Sequence, residues 1–310
     1  MKRMKLKNNR KRKINFKFFL LFFIFILSIY ITFKYLVKMN INISNEELVE
    51  YLLNDYTEED IIKKRINKNI NEFFMPEKLL NMKMVYREIK KEDNIIVKEN
   101  NSNLIYIYNT HETEEYSGST FIEQELRPRV GINNYIMKDY FEKKNLKTRV
   151  EENSITDIRK INNWNYSDCY KASRILMENA KKEEKTLKYF IDIHRDSLPK
   201  EKTTIEINGE TFAQVLFIVG LENENYKSNL DFTERINNKI NEKYNGLSKG
   251  IYKKEGPGVN GVYNQDFSPY TILIEIGGEE NTIEEVMNTT LAVSKIISEV
   301  ILENEQKEYS

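Results

Sequence analysis

Beyond residue 103 the chain alternates short apolar runs with longer stretches in which apolar residues recur at helical spacing. The runs are LIYIYN (104–109), a weaker TRV (148–150), YFIDIH (189–194), AQVLFIVG (213–220) and YTILIEI (270–276). Amphipathic segments lie at about 129–144, 168–182, 229–244 and 282–304. Strands alternating with helices predict an α/β fold, a mostly parallel mixed sheet flanked by helices. The last helix is the clearest. Thr282 and Glu285 form a capping box, and Ile283, Val286, Met287, Val293, Ile297 and Val300 follow at helical period. In IEINGETFAQV, Asn208-Gly209 marks a hairpin turn and predicts an antiparallel addition to the sheet.

Upstream the pattern changes. Residues 38–102 are rich in Asn, Lys and Glu, with Leu48, Leu52, Leu53 and Tyr56 and then Ile61, Ile62, Ile66 and Ile70 at helical spacing; they read as a stalk without chemistry. Residues 1–17 carry nine Lys or Arg and no acid, and run into FFLLFFIFILSIYITF. Lys17, Lys34 and Lys38 can snorkel, so a span of about Ile14 to Val37 reaches the roughly 20 residues that cross a bilayer. No A-x-A cleavage pattern follows, which argues for an uncleaved anchor. The basic flank places the N-terminus in the cytoplasm and the rest of the chain outside. The predicted organisation is a basic tail (1–17), a transmembrane anchor (18–37), a stalk (38–102) and an α/β domain (103–310).

The formal charge of zero hides an asymmetry: residues 45–310 hold 37 bases against 48 acids, a net of −11. An acidic domain is a poor binder of nucleic acid. Cys169 is the only cysteine, which excludes an intramolecular disulfide and a thiolate zinc site.

The chemistry concentrates at strand ends. His111 follows the first run, His194 ends the third, Glu275 lies in the last, and the chain has no other histidine. Ligands of open α/β sheets bind at the carboxyl ends of strands. Two imidazoles and a carboxylate suit a catalytic zinc with one open position. Glu112, Glu114, Glu115, Glu123 and Glu125 are all within reach as the third ligand. HExxH and GxSxG are absent, and Cys169 reads as part of a helix face rather than as a nucleophile.

The blocks IYNTHETEEYS, NYSDCYKASR, FIDIHRDS, INGETFAQVLFIVG, GLSKGIY and VYNQDFSPYTILIEIGGEENTIEEV, in this order after a basic anchor, resemble the stage II sporulation protein P family over roughly 103–301. The resemblance implies a membrane-anchored peptidoglycan hydrolase of endospore-forming bacteria, related to zinc N-acetylmuramoyl-L-alanine amidases. It implies zinc on His111 and His194, Glu275 as catalytic acid and base, and Glu114 as third ligand, with Glu125 competing by the amidase spacing. Asn109 departs from the family, whose members often carry a histidine there. The resemblance gives Arg195 and Asp196 a role in orienting His194 or holding a stem-peptide carboxylate; the plainer reading is a surface ion pair. Tyr263, Asn264, Gln265 and Asp266 would build the cleft wall, with Asn264 and Gln265 binding substrate. Tyr166, Tyr170 and Arg174 read as helix packing. Partners implied are peptidoglycan and stage II sporulation proteins D and M at the sporulation septum. The competing readings are a wall-binding scaffold subunit and a stem-peptide endopeptidase.

Overall fold

The computed structural model describes residues 102–118 and 128–308. The expected anchor and stalk, and Glu123 and Glu125, lie outside them. Among the described residues no helix is long and apolar enough to cross a membrane.

The elements follow the apolar pattern closely. In chain order they are β1 (Ile105–Tyr108), α1 (Gly131–Lys143), β2 (Thr148–Val150), α2 (Ile155–Ile161), α3 (Cys169–Glu183), β3 (Tyr189–Asp196), β4 (Thr204–Ile207), β5 (Glu210–Ala213), β6 (Val215–Gly220), α4 (Tyr226–Lys243), β7 (Ser248–Lys254), β8 (Thr271–Gly278) and α5 (Ile283–Glu308), with short 3-10 turns at Tyr166–Asp168, Lys200–Lys202 and Gln265–Phe267. Six strands form one sheet in the order β2-β1-β3-β8-β6-β7. Strands β2, β1, β3 and β8 are mutually parallel, β6 runs antiparallel to β8, and β7 runs parallel to β6.

The hairpin corrects one expectation. Asn208 and Gly209 both take positive φ, 53° and 83°, as the turn requires. But β4 and β5 pair only with each other, in a separate two-stranded sheet, and the antiparallel member of the main sheet is β6. Strand β7, SKGIYKK, escaped the apolar pattern because it is an edge strand, where lysines guard an unpaired backbone.

Strand periodicity divides the sheet into two faces. Ile105, Ile107, Ile191, Ile193, Ile272, Ile274 and Ile276 belong to one buried cluster with residues of α1, α4 and α5. Tyr106, Tyr108 and Phe190 point the other way, against Met177 and Ala180 of α3. Burying one such side chain stabilises the fold by roughly 1.5–3 kcal/mol, so this alternation fixes the strand register. It therefore also fixes where Asp192, His194 and Glu275 emerge, on the α3 face at the carboxyl ends. The order turns from β2 on one side of β1 to β3 on the other, so the gap between β1 and β3 is a switch point of the kind that holds ligands.

Candidate metal centre

Two of the predicted ligands flank that switch point. His111 lies in the turn after β1, half-buried, and His194 is buried on β3; their rings meet edge to face with centroids 4.9 Å apart. Glu114 sits between them, one oxygen 3.4 Å from His111 Nδ1 and the other 3.8 Å from His194 Nδ1. The ligand atoms of the three residues all lie within 4.8 Å of one another. Around a tetrahedral zinc with bonds of roughly 2.1 Å, donor atoms stand about 3.4 Å apart, so small side-chain movements would close the triad on an ion. The donor set, two imidazoles and one carboxylate, fits zinc with a position left open. The main-chain N–H of Arg195 donates to Glu114 at 2.9 Å and aims its carboxylate at the pair.

The acidic loop after His111 sorts into separate duties. Glu112 accepts from Ser154 Oγ and from the main-chain N–H groups of Ile155 and Thr156 at 2.8–2.9 Å, capping α2. Glu115 pairs with Arg129 at 3.2 Å. Only Glu114 among these described acids meets the histidines.

Charge in the centre is strongly shaped by its surroundings. Burial opposes ionisation of Glu114, yet contacts with His111 and His194 outweigh it and hold the carboxyl down to about 2. Burial would likewise lower His194, but the Asp192 and Glu114 carboxylates push it up to about 10. For His111, burial is again outweighed, here by Cys169 and Glu114, and the imidazole rises above its ordinary value. Glu275 is His194's neighbour across β3 and β8. Burial first, then Asp196, raise it to about 7 against the pull of His194 and Lys249.

Other predicted residues fall elsewhere. Asn109 donates to the Ile193 carbonyl at 2.7 Å and exchanges hydrogen bonds with Asn134, so it ties β1 to β3 and α1 and faces away from the metal triad. Arg195's guanidinium is engaged by the Glu115 carbonyl at 2.8 Å and by Glu279 at 3.3 Å, fastening the acidic loop. The Asp196 carboxylate pairs with Lys249 at 3.0 Å, while its main-chain carbonyl accepts from Arg195 Nη1 at 3.2 Å. The expectation that Asn264 and Gln265 line the cleft is corrected. Gln265 is fully buried, accepting from Gly220 N and donating to Ile218 O at 2.8 Å each, which clips the turn to β6. Asn264 is 8% exposed and bonds to α3. The tyrosines are corrected in the opposite direction. Tyr166, 54% exposed, stacks on His111 at 5.0 Å, and Tyr170 lies among His111, His194 and Tyr263. Arg174 does serve packing, binding both oxygens of Asp266 at 2.8 Å. Cys169 opens α3, buried among Ile155, Ala172 and Leu176.

The profile of the stage II sporulation protein P family matches residues 30–298. The chain belongs to this family. A curated member, stage II sporulation protein P of Bacillus subtilis (strain 168), is 33% identical over 211 residues, which are 66% of this chain and 52% of the relative. The chain thus spans about half the length of that relative. Among solved structures, the N-acetylmuramoyl-L-alanine amidase AmiC2 of Nostoc punctiforme overlaps 66% of this chain and 99% of its own, at 13% identity and a TM-score of 0.37. The CwlD amidase of Clostridioides difficile, solved in complex with the GerS lipoprotein, overlaps 63% of this chain and 96% of its own, at 13% identity and 0.38.

Three residues that matter to the centre were not singled out from the sequence: Asp192, Thr110 and Lys249. For Asp192 a signal existed, since an acid in the middle of the apolar run FIDIH, two positions before a histidine, shares that histidine's face.

Proposed function

We propose that this chain is a zinc-dependent peptidoglycan hydrolase that cuts the amide between N-acetylmuramic acid and L-alanine. The observation that carries the reading is the convergence of His111, Glu114 and His194, with Glu275 on the strand beside His194. His111, Glu114 and His194 would hold the zinc, which would supply Lewis acidity toward the carbonyl and lower the pKa of water to about 7. Glu275, whose carboxyl is raised to about 7, is poised to take the proton of the attacking water and return it to the leaving nitrogen. Tyr166 and Tyr170 wall the mouth of the centre, their rings against those of His111 and His194. In the same reading residues 18–37 anchor the chain in the membrane with the catalytic domain outside. It acts at the sporulation septum with stage II sporulation proteins D and M.

The test is product analysis on purified sacculi with the 310-residue chain in detergent. An amidase frees stem peptides that begin with an L-alanine amine; an endopeptidase leaves them attached to sugar; a scaffold yields neither. His111→Ala and His194→Ala should abolish both zinc content and products, and full activity in either variant would end the proposal.

A further inference from the structure

Asp192 is completely buried, and a buried carboxylate is costly unless donors surround it. It has three contacts. Thr110 donates its main-chain N–H to Oδ1 at 2.9 Å and its hydroxyl to Oδ2 at 2.7 Å, and His194 Nε2 stands 3.1 Å from Oδ1. The imidazole contact is off the line of a well-formed hydrogen bond and acts through charge. The donors continue outward. Thr110's single hydroxyl hydrogen is committed to Asp192, so across the 2.9 Å to Ser173 Oγ it is Ser173 that gives its own single hydrogen, to Thr110 rather than to the more distant Tyr170 carbonyl at 3.1 Å. Ser173 in turn accepts from Asn264 Nδ2 at 3.0 Å. Asn264 holds a left-handed backbone, φ 55°, which asparagine tolerates better than most residues.

We propose that Asp192 is a positioning residue for the metal centre, and that Asn264, Ser173 and Thr110 form a chain of hydrogen bonds polarised toward it. The inference rests on the metal reading above. A carboxylate facing Nε2 keeps that nitrogen's proton in place and leaves the Nδ1 lone pair toward Glu114 and His111. A carboxylate behind a metal-bound histidine both orients the ring and raises its basicity. Donors aligned in one sense reinforce each other at low dielectric. Asn264, chosen from the sequence as a substrate contact, becomes the outer end of this support.

The test is zinc affinity of the 310-residue chain, by competition with a chromophoric chelator, together with long-range 15N spectra of the zinc-loaded protein that report the His194 tautomer. Loss of such a support typically weakens metal binding about 10–100-fold. Asp192→Leu should sit at the upper end of that range. Asp192→Asn should sit near the lower end, since it offers one acceptor oxygen where three donors converge. Thr110→Val, which keeps the main-chain donor, should lose several-fold and serves if the Asp192 variants fail to fold. Thr289→Val, at a buried threonine bonded to the Ala213 carbonyl away from the centre, is the control and should bind as the unaltered chain does. Asp192→Asn and Thr110→Val binding within about twofold of the unaltered chain, with Nε2 still protonated, would overturn the inference and leave the metal reading intact. An unaltered chain that takes up no zinc would overturn both.

Discussion

Zinc uptake should expel a proton from His194, and the size of the effect follows from the charges around the ring. With Asp192 at 3.1 Å and Glu114 at 3.8 Å, the metal-free imidazole is raised to about 10. At pH 7 it is therefore an imidazolium, with its neutral form near one part in a thousand, and a metal needs the lone pair that proton occupies. Three pH units correspond to about 4 kcal/mol of affinity withheld at pH 7. Glu114, held down to about 2, is already charged and releases nothing, so among the three ligands the protons come from the imidazoles. The sign is fixed: a raised folded pKa keeps the proton at neutral pH, and affinity climbs about tenfold per unit between pH 7 and 9. Calorimetry of zinc binding at pH 7, in two buffers of different ionisation enthalpy, should show at least about one proton released per zinc, with any excess from His111 and from Glu275, whose carboxyl is raised to about 7. Zero release, or an affinity flat from pH 7 to 9, would refute the reasoning. In the metal-free protein the same shift implies stability that is complete below about 6.5 and is lost as pH rises through 10.

Replacing Glu275 with Gln should leave zinc content unchanged while lowering turnover on sacculi about 10²–10⁴-fold; loss of metal would instead make it a ligand. Glu114→Ala should strip zinc, measured by atomic absorption, whereas Glu125→Ala should keep it; the reverse pattern would move the third ligand along the loop. In metal-free protein, 13C spectra should show Glu275 titrating near 7, and Lys249→Met should push that value up, because Lys249 is a cation that lowers it. Ile191→Ala, on the opposite face of β3 from the histidine, should cost about 2–5 kcal/mol in denaturant unfolding yet leave zinc stoichiometry at one.

Much of this was legible from the chain alone, for identifiable reasons. The strands that carry chemistry lie at or near the centre of the sheet, so LIYIYN, YFIDIH and YTILIEI read as apolar runs, and polar residues breaking such runs declare themselves. Strand β7 was invisible because an edge strand has no such constraint, and Lys249 went with it. The duties of Glu112, Glu114 and Glu115 could not be separated by spacing, since they depend on whether each side chain meets α2, the histidines or Arg129. Asn264 and Gln265 were misplaced because polarity beside a catalytic strand says nothing of direction, and both turn inward to satisfy buried backbone. Tyr166, in the 3-10 turn before α3, and Tyr170, in the first turn of α3, read as packing for the converse reason, aromatic residues on a helix being more often buried than aimed at a cleft.

The two faces of β3 have an implication for how this protein tolerates change in length. Ile191 and Ile193 are interleaved with Asp192 and His194, so a single-residue insertion or deletion within the strand would exchange the two sets, sending carboxylate and imidazole into the apolar layer. Substitution can injure stability or catalysis separately; a one-residue frame shift in this strand must injure both. A deep insertion-deletion scan of β3 should show no variant that folds without its chemistry or keeps its chemistry without folding.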